Sequence, residues 1–141
     1  MTVGAFLRKK QIVLSPKLYF VDAMGSMAQG LFASLLIGTI FSTLGKFTGL
    51  QFFSMIAAYA TKATGAVIGV AIAYALKAPL LVLLSAGVVG MAGNDIATAF
   101  LIDGAEKNLT GGPAGAFIAV VIAAELGKLV SKETKIDILV T

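Results

Sequence analysis

The stretch Gly90–Gly115 reads GMAGNDIATAFLIDGAEKNLTGGPAG and is the longest polar interruption in an otherwise apolar chain. It carries three of the seven acids (Asp95, Asp103 and Glu106), with Lys107, Asn94, Asn108 and six glycines. Apolar runs that approach the thickness of a bilayer lie on both sides of it. The rest of the chain therefore reads as a scaffold that places this polar stretch at or inside a membrane.

Apolar residues make up 58% of the 141 and charged residues 13%, against roughly 45–50% and about 25% in soluble domains. A soluble domain needs more charge than this to cover its surface. The sixteen glycines fit helix packing in lipid, where small residues let backbones approach closely. Without cysteine there is no disulfide or thiolate chemistry, and without histidine the commonest acid–base group and metal ligand is missing. Trp is absent too, which leaves Tyr19, Tyr59 and Tyr74 as interface anchors. The formal charge of +4 is not a nucleic-acid footprint, because the basic residues sit at the ends of apolar runs rather than on one patch.

Outward from the central stretch, the pattern predicts an all-α, polytopic transmembrane protein. It has about four membrane helices and a glycine-rich polar hairpin or re-entrant stretch. Between Asp22 and Lys46 lie 23 residues without charge, and a spanning helix needs about 20. Gly30/Ser34 and Gly38/Ser42 are each four apart, as on small-residue packing faces. Phe47–Leu76 holds one charge, Lys62. As one straight helix it runs ~45 Å, longer than a ~30 Å hydrocarbon core. It is either a tilted helix with Lys62 facing inward, or an interfacial piece (47–61) followed by a membrane helix from near Lys62. Gly65, Gly69 and Ala73 form a close-packing row. Lys77 and Pro79 mark a turn, and Pro79–Asn94 is uncharged but short for a span. Pro113 is placed to open the last helix, where Glu125 and Lys128 share a face at i,i+3. The expected crossings are about 22–45, 50–76, 79–94 and 113–130.

At the start, Arg8, Lys9, Lys10 and Lys17 favour a cytoplasmic N-terminus over a signal peptide, because the following apolar run is too long for an h-region. Residues 4–20 suit a short interfacial helix with Phe6, Leu7, Ile12 and Val13 against lipid, broken by Pro16. Lys77, Lys128, Lys132 and Lys135 join the same cytoplasmic side, and 95–107 falls outside. Asn108-Leu109-Thr110 matches a glycosylation acceptor but reads better as a turn.

Several strings in order resemble the EIIC-like membrane family of phosphotransferase-system permeases, which includes the perfringolysin O regulator-type proteins. They are MAQGLFASLLIGTI (27–40), AIAYALKAP (71–79), GGPAGAF (111–117) and ELGKLVSKETKID (125–137). The resemblance covers nearly the whole chain and implies a permease-like protein of the bacterial inner membrane. Family members look about twice this long, so it implies one transmembrane domain over 1–141, the N-terminal half of a longer permease. The chain departs from a complete sugar system in having no Cys or His to carry a phosphoryl group. The usual glutamate-containing sugar motif is not recognisable either.

The expected function is movement of a small polar solute, a sugar or related compound. Its partners are the lipid bilayer, the solute, and other copies or the second half of the permease, with no nucleic acid. Broken helices near the midplane expose backbone groups and helix ends to substrates. On that basis Asn94, Asp95, Asp103 and Glu106 are candidate ligands for hydroxyl groups. The Gly111 and Gly112 amides are candidates for an anionic group. The plainer reading of the same residues is a wet loop with helix caps. A regulatory or structural membrane protein that moves no solute, or a small channel-forming oligomer, are the rival functions. No nucleophile–base pair, metal-ligand cluster or phosphate loop is visible, so neither an enzyme nor a cofactor is expected.

Overall fold

The structure is a computed structural model and describes residues 2–96 and 111–131. Every regular element among them is helical. Helix α1 (Val3–Lys9) starts at Thr2, whose hydroxyl accepts from the Ala5 amide. The chain leaves α1 through Gln11, which sits in the left-handed region at φ 55°. This turn carries Ile12 into a buried position. The sequence pattern sets Ile12 against lipid, but the helix ends before it and the reversal points it inward.

A π-helical turn (Leu18–Ala23) runs directly into α2 (Met24–Thr48). Together they make one helical run of 31 residues, about 46 Å at 1.5 Å per residue. The span predicted at 22–45 is thus present and longer at both ends. Gly49, at φ 70°, ends it in the left-handed cap that glycine accepts without strain. The buried residues of α2 are Gly30, Ser34, Gly38 and Gly45, so three of the four small residues read from the sequence lie on its packing face, while Ser42 is half-buried.

Phe47–Leu76 is not one straight helix. Helices α3 (Gln51–Lys62) and α4 (Thr64–Ala75) meet at Ala63 with a bend of 48°. The cause lies in their neighbours: α3 follows α2 alone, whereas the glycines of α4 let it close onto the next helix. Lys62 is exposed, with Nζ 6.0 Å from the Tyr59 ring centroid. The inward-facing lysine of the tilted-helix arrangement is therefore not found.

The turn at Lys77 (φ 55°) and Pro79 leads into α5 (Leu80–Asp95), and Pro113 lies in the first turn of α6 (Gly112–Val130). Two helical runs, Leu18–Thr48 and Gly112–Val130, are long and apolar enough to cross a membrane. The bent α3–α4 pair makes a third candidate, and α5 is shorter at 16 residues. The chain is an all-α helical membrane protein.

Helix α4 is the centre of the bundle and packs on α2, α5 and α6. Ile68, Ile72 and Ala73 are fully buried there, against Ala86 of α5 and Ala116, Val120 and Ala124 of α6. Lipid tails are as apolar as leucine, so close fit rather than water exclusion has to hold such helices together. A Cβ on Gly65 would lie 2.7 Å from Asn94 Cβ and 2.8 Å from both Gly90 O and Met91 Cα. One on Gly69 would overlap the Ala86 carbonyl oxygen. The start of α4 thus meets the end of α5 backbone to backbone, and the two run antiparallel. Gly93 sits against Gly115 and Gly127 against Val82, so α5 and α6 are antiparallel as well.

Candidate functional site

The antiparallel packing of α5 on α6 puts the end of α5, with Asn94 and Asp95, and the start of α6, with Gly111 and Gly112, at the same end of the bundle. A Cβ on Gly93 would stand 2.8 Å from Gly115 O, 2.9 Å from Ala119 Cβ and 3.0 Å from Ala116 Cα. A Cβ on Gly111 would overlap the Gly93 carbonyl oxygen. Only three glycines in register allow this approach, and it brings the last turn of α5 beside the first turn of α6. Gly93, the residue before Asn94, therefore lies against Gly111. Asn94 is half-buried against Gly65 and donates from Nδ2 to Asp95 Oδ1 at 2.7 Å. Asp95 is exposed and ends the helix. Gly112 adopts φ 56°, a conformation that a side chain would strain, and its surroundings are open.

The first N–H groups of a helix have no partner inside it and carry the positive end of its dipole. At this end of the bundle they belong to the start of α6, beside the last turn of α5 that carries Asp95. The arrangement supplies donors from backbone and amide, and acceptors from the carboxylate, at the end of an apolar bundle. Asp103 and Glu106, the other two predicted ligands, lie outside the described residues.

A second polar site stands at the opposite end, and sequence reasoning missed it. The Lys128 side chain is completely buried. Its Nζ donates to Glu125 Oε1 at 2.9 Å, to the Leu76 carbonyl at 3.1 Å and to the Gln11 carbonyl at 3.3 Å. All three ammonium protons are thereby used. The Leu76 carbonyl closes the C-terminus of α4, where a cation also meets the negative end of the helix dipole. Tyr19 donates its hydroxyl to the same Glu125 oxygen at 3.0 Å. Nearby, Lys10 Nζ donates to the Ser131 carbonyl. One ion thus ties the exit from α1, the first turn of the α2 run, the end of α4 and the end of α6. Glu125 Oε2 is buried and meets no hydrogen-bond partner among the described residues. The signal present in the sequence was the i,i+3 spacing of Glu125 and Lys128; the Gln11 and Leu76 carbonyls that complete the site come from distant parts of the chain.

Between α2 and α3 runs a groove of about 390 Å³ that includes Thr39, Ser42, Thr43, Thr61 and Lys46. It is rich in hydroxyls, but Thr39, Thr43 and Thr61 each donate to a carbonyl four residues back in their own helix, at 2.8–3.0 Å. Their protons are already committed, which leaves the groove weaker in donors than the α5–α6 end.

The family model described as "Phosphotransferase system, EIIC" matches residues 21–141. No curated protein and no solved structure matches the chain.

Proposed function

The chain belongs to the phosphotransferase system EIIC family, and from that premise we propose that it is a permease component moving a small polar solute, a sugar or related compound. It acts as a multi-pass protein of the bacterial inner membrane. The observation that carries this reading is the glycine junction of Gly93, Gly111 and Gly115. It puts the start of α6 beside the last turn of α5, which carries the Asn94–Asp95 pair, at the end of an otherwise apolar bundle. Transporter sites are built this way, from helix ends that offer backbone donors and a few side chains.

The roles follow from the chemistry. Asp95 accepts hydrogen bonds from solute hydroxyls, and Asn94 orients it by the hydrogen bond between them. The first amides of α6, at Gly111 and Gly112, donate to the solute's oxygens. Asp103 and Glu106 add further acceptors from the intervening stretch. Covalent chemistry has no place in this reading.

Uptake of a labelled sugar by the intact protein in proteoliposomes tests it. Asp95→Asn is expected to reduce uptake about tenfold or more, the size of a lost hydrogen bond to a charged group. Glu106→Gln should do less, and Lys107→Gln less still. The order rests on α5 having 16 residues against the ~20 needed to span, which sets Asp95 closest to membrane depth. Normal uptake in Asp95→Asn at matched protein levels would make the acid part of a wet loop. An intact protein that moves no solute at all would favour a regulatory or structural membrane role.

A further inference from the structure

Beside the Lys128 node lies a cavity of about 390 Å³ with an unusual set of charges. Arg8 comes from α1, Lys17 from the segment before the α2 run, and Lys77 from the α4–α5 turn. One carboxylate, Asp22, faces them. The three cations come from separate parts of the chain, and each is exposed to solvent. None of the three side chains makes an ion pair or hydrogen bond among the described residues. The walls also include Val13 and Leu18, which suit an apolar neighbour better than bulk water.

The backbone around the cavity points the same way. The described residues contain two non-glycine residues at positive φ, Gln11 and Lys77, both at 55°. Both line this cavity. Each ends a helix in a Schellman turn: the Gln11 and Ile12 amides donate to the Arg8 and Leu7 carbonyls, and the Lys77 and Ala78 amides to the Tyr74 and Ala73 carbonyls. Lys128 holds the Gln11 carbonyl and the Leu76 carbonyl, the latter one residue before Lys77. A buried ion thus ties together the two helix ends that bring the cationic side chains to one opening.

We propose that this cavity binds a phosphate group carried on an apolar body, with Arg8, Lys17 and Lys77 as its ligands. Arg8 offers a planar pair of N–H donors to two phosphate oxygens, and the lysines act as point charges on the others. Two sources share this chemistry: the headgroup of an anionic phospholipid at the membrane surface, and a soluble phosphate ester. The lipid source fits a basic pocket at the end of a helix bundle. Binding there neutralises the gathered cations and clamps α1 to the α4–α5 turn.

The test uses the purified intact protein in nanodiscs of phosphatidylcholine, with or without phosphatidylglycerol, and counts retained anionic lipid by native mass spectrometry. A parallel arm titrates inorganic phosphate and glycerol 3-phosphate in phosphatidylcholine discs. The wild type is expected to retain phosphatidylglycerol. Arg8→Gln/Lys17→Gln/Lys77→Gln should lose on the order of a hundredfold in affinity, about fivefold for each cation removed. Lys46→Gln/Lys62→Gln, which changes the net charge but not the cavity, should bind as wild type. Lys17→Arg/Lys77→Arg should keep binding. If the triple variant does not fold, the single Lys17→Gln and Lys77→Gln variants carry the same comparison at about fivefold each. Binding of glycerol 3-phosphate with the same dependence on the three residues, and no preference for phosphatidylglycerol, would support the site with a soluble ligand. Equal binding by wild type and cavity variants would overturn the proposal. So would an equal loss in the Lys46/Lys62 control.

Discussion

Gly65→Ala puts the backbone contact between α4 and α5 to the sharpest test, because it adds one methyl group where there is no room for one. The new Cβ would meet Gly90 O and Met91 Cα at 2.8 Å, whereas ordinary contact begins at 3.4 Å. Both obstacles are backbone, so no rotamer change relieves them. Helix α5 has to retreat by the difference, about 0.6 Å, and Asn94, 2.7 Å from the new atom, moves with it. Overpacking of this kind costs about 1–3 kcal/mol. Alanine recovers about 0.5–1 kcal/mol of that through its better helix propensity. The expected net loss is therefore up to about 2.5 kcal/mol and centred on about 1 kcal/mol, measured by reversible unfolding in mixed micelles of mild detergent and SDS. Gly65→Leu should lose more. Gly25→Ala is the control: Gly25 is also helical, and nothing lies within 4 Å of the point where its methyl group would stand. That change should be neutral or slightly stabilising. A Gly65→Ala protein as stable as wild type would mean that the two backbones do not touch there, and the glycine seam would be refuted.

Lys128→Met should destabilise the same protein by about 3 kcal/mol, since it strands a partly buried carboxylate and two carbonyls. Adding Glu125→Gln to Lys128→Met should recover at least about 1 kcal/mol relative to the sum of the single changes; strictly additive losses would show that the pair is not coupled. Thr2→Cys and Glu133→Cys, introduced into a chain with no native cysteine, should both resist a membrane-impermeant thiol reagent in intact cells. Labelling of either would reverse the orientation inferred from the lysines.

Helix positions were legible in the sequence where charge and proline punctuate apolar runs. Lys77–Pro79 and Pro113 fall at helix starts as expected, and Gly30, Ser34 and Gly38 of the small-residue row of α2 are buried. The break at Ala63 was harder to place, because Tyr59–Ala66 holds no proline and the bend comes from α3 and α4 having different neighbours. In the candidate site, the i,i+3 spacing of Glu125 and Lys128 was visible, but the groups that bury Lys128 were not. They are the carbonyls of Gln11 and Leu76, 117 and 52 residues away in the chain, and a carbonyl has no residue identity for a pattern to detect. The roles of Gly93 and Gly111 were hidden for a similar reason. A glycine before a polar stretch reads equally as a loosened helix end or as a contact surface, and only the partner helix separates the two.

The position of Lys128 has a consequence for how the protein is made. Ribosomes add roughly 5–20 residues per second, so the 52 residues from Leu76 to Lys128 take roughly 3–10 s to synthesise. Throughout that interval α1 and α4 exist while the cation that joins them does not. Their terminal carbonyls have to be hydrated or held by the insertion machinery. The α1 and α4 ends are thus joined only after α6, which carries the cation, has emerged.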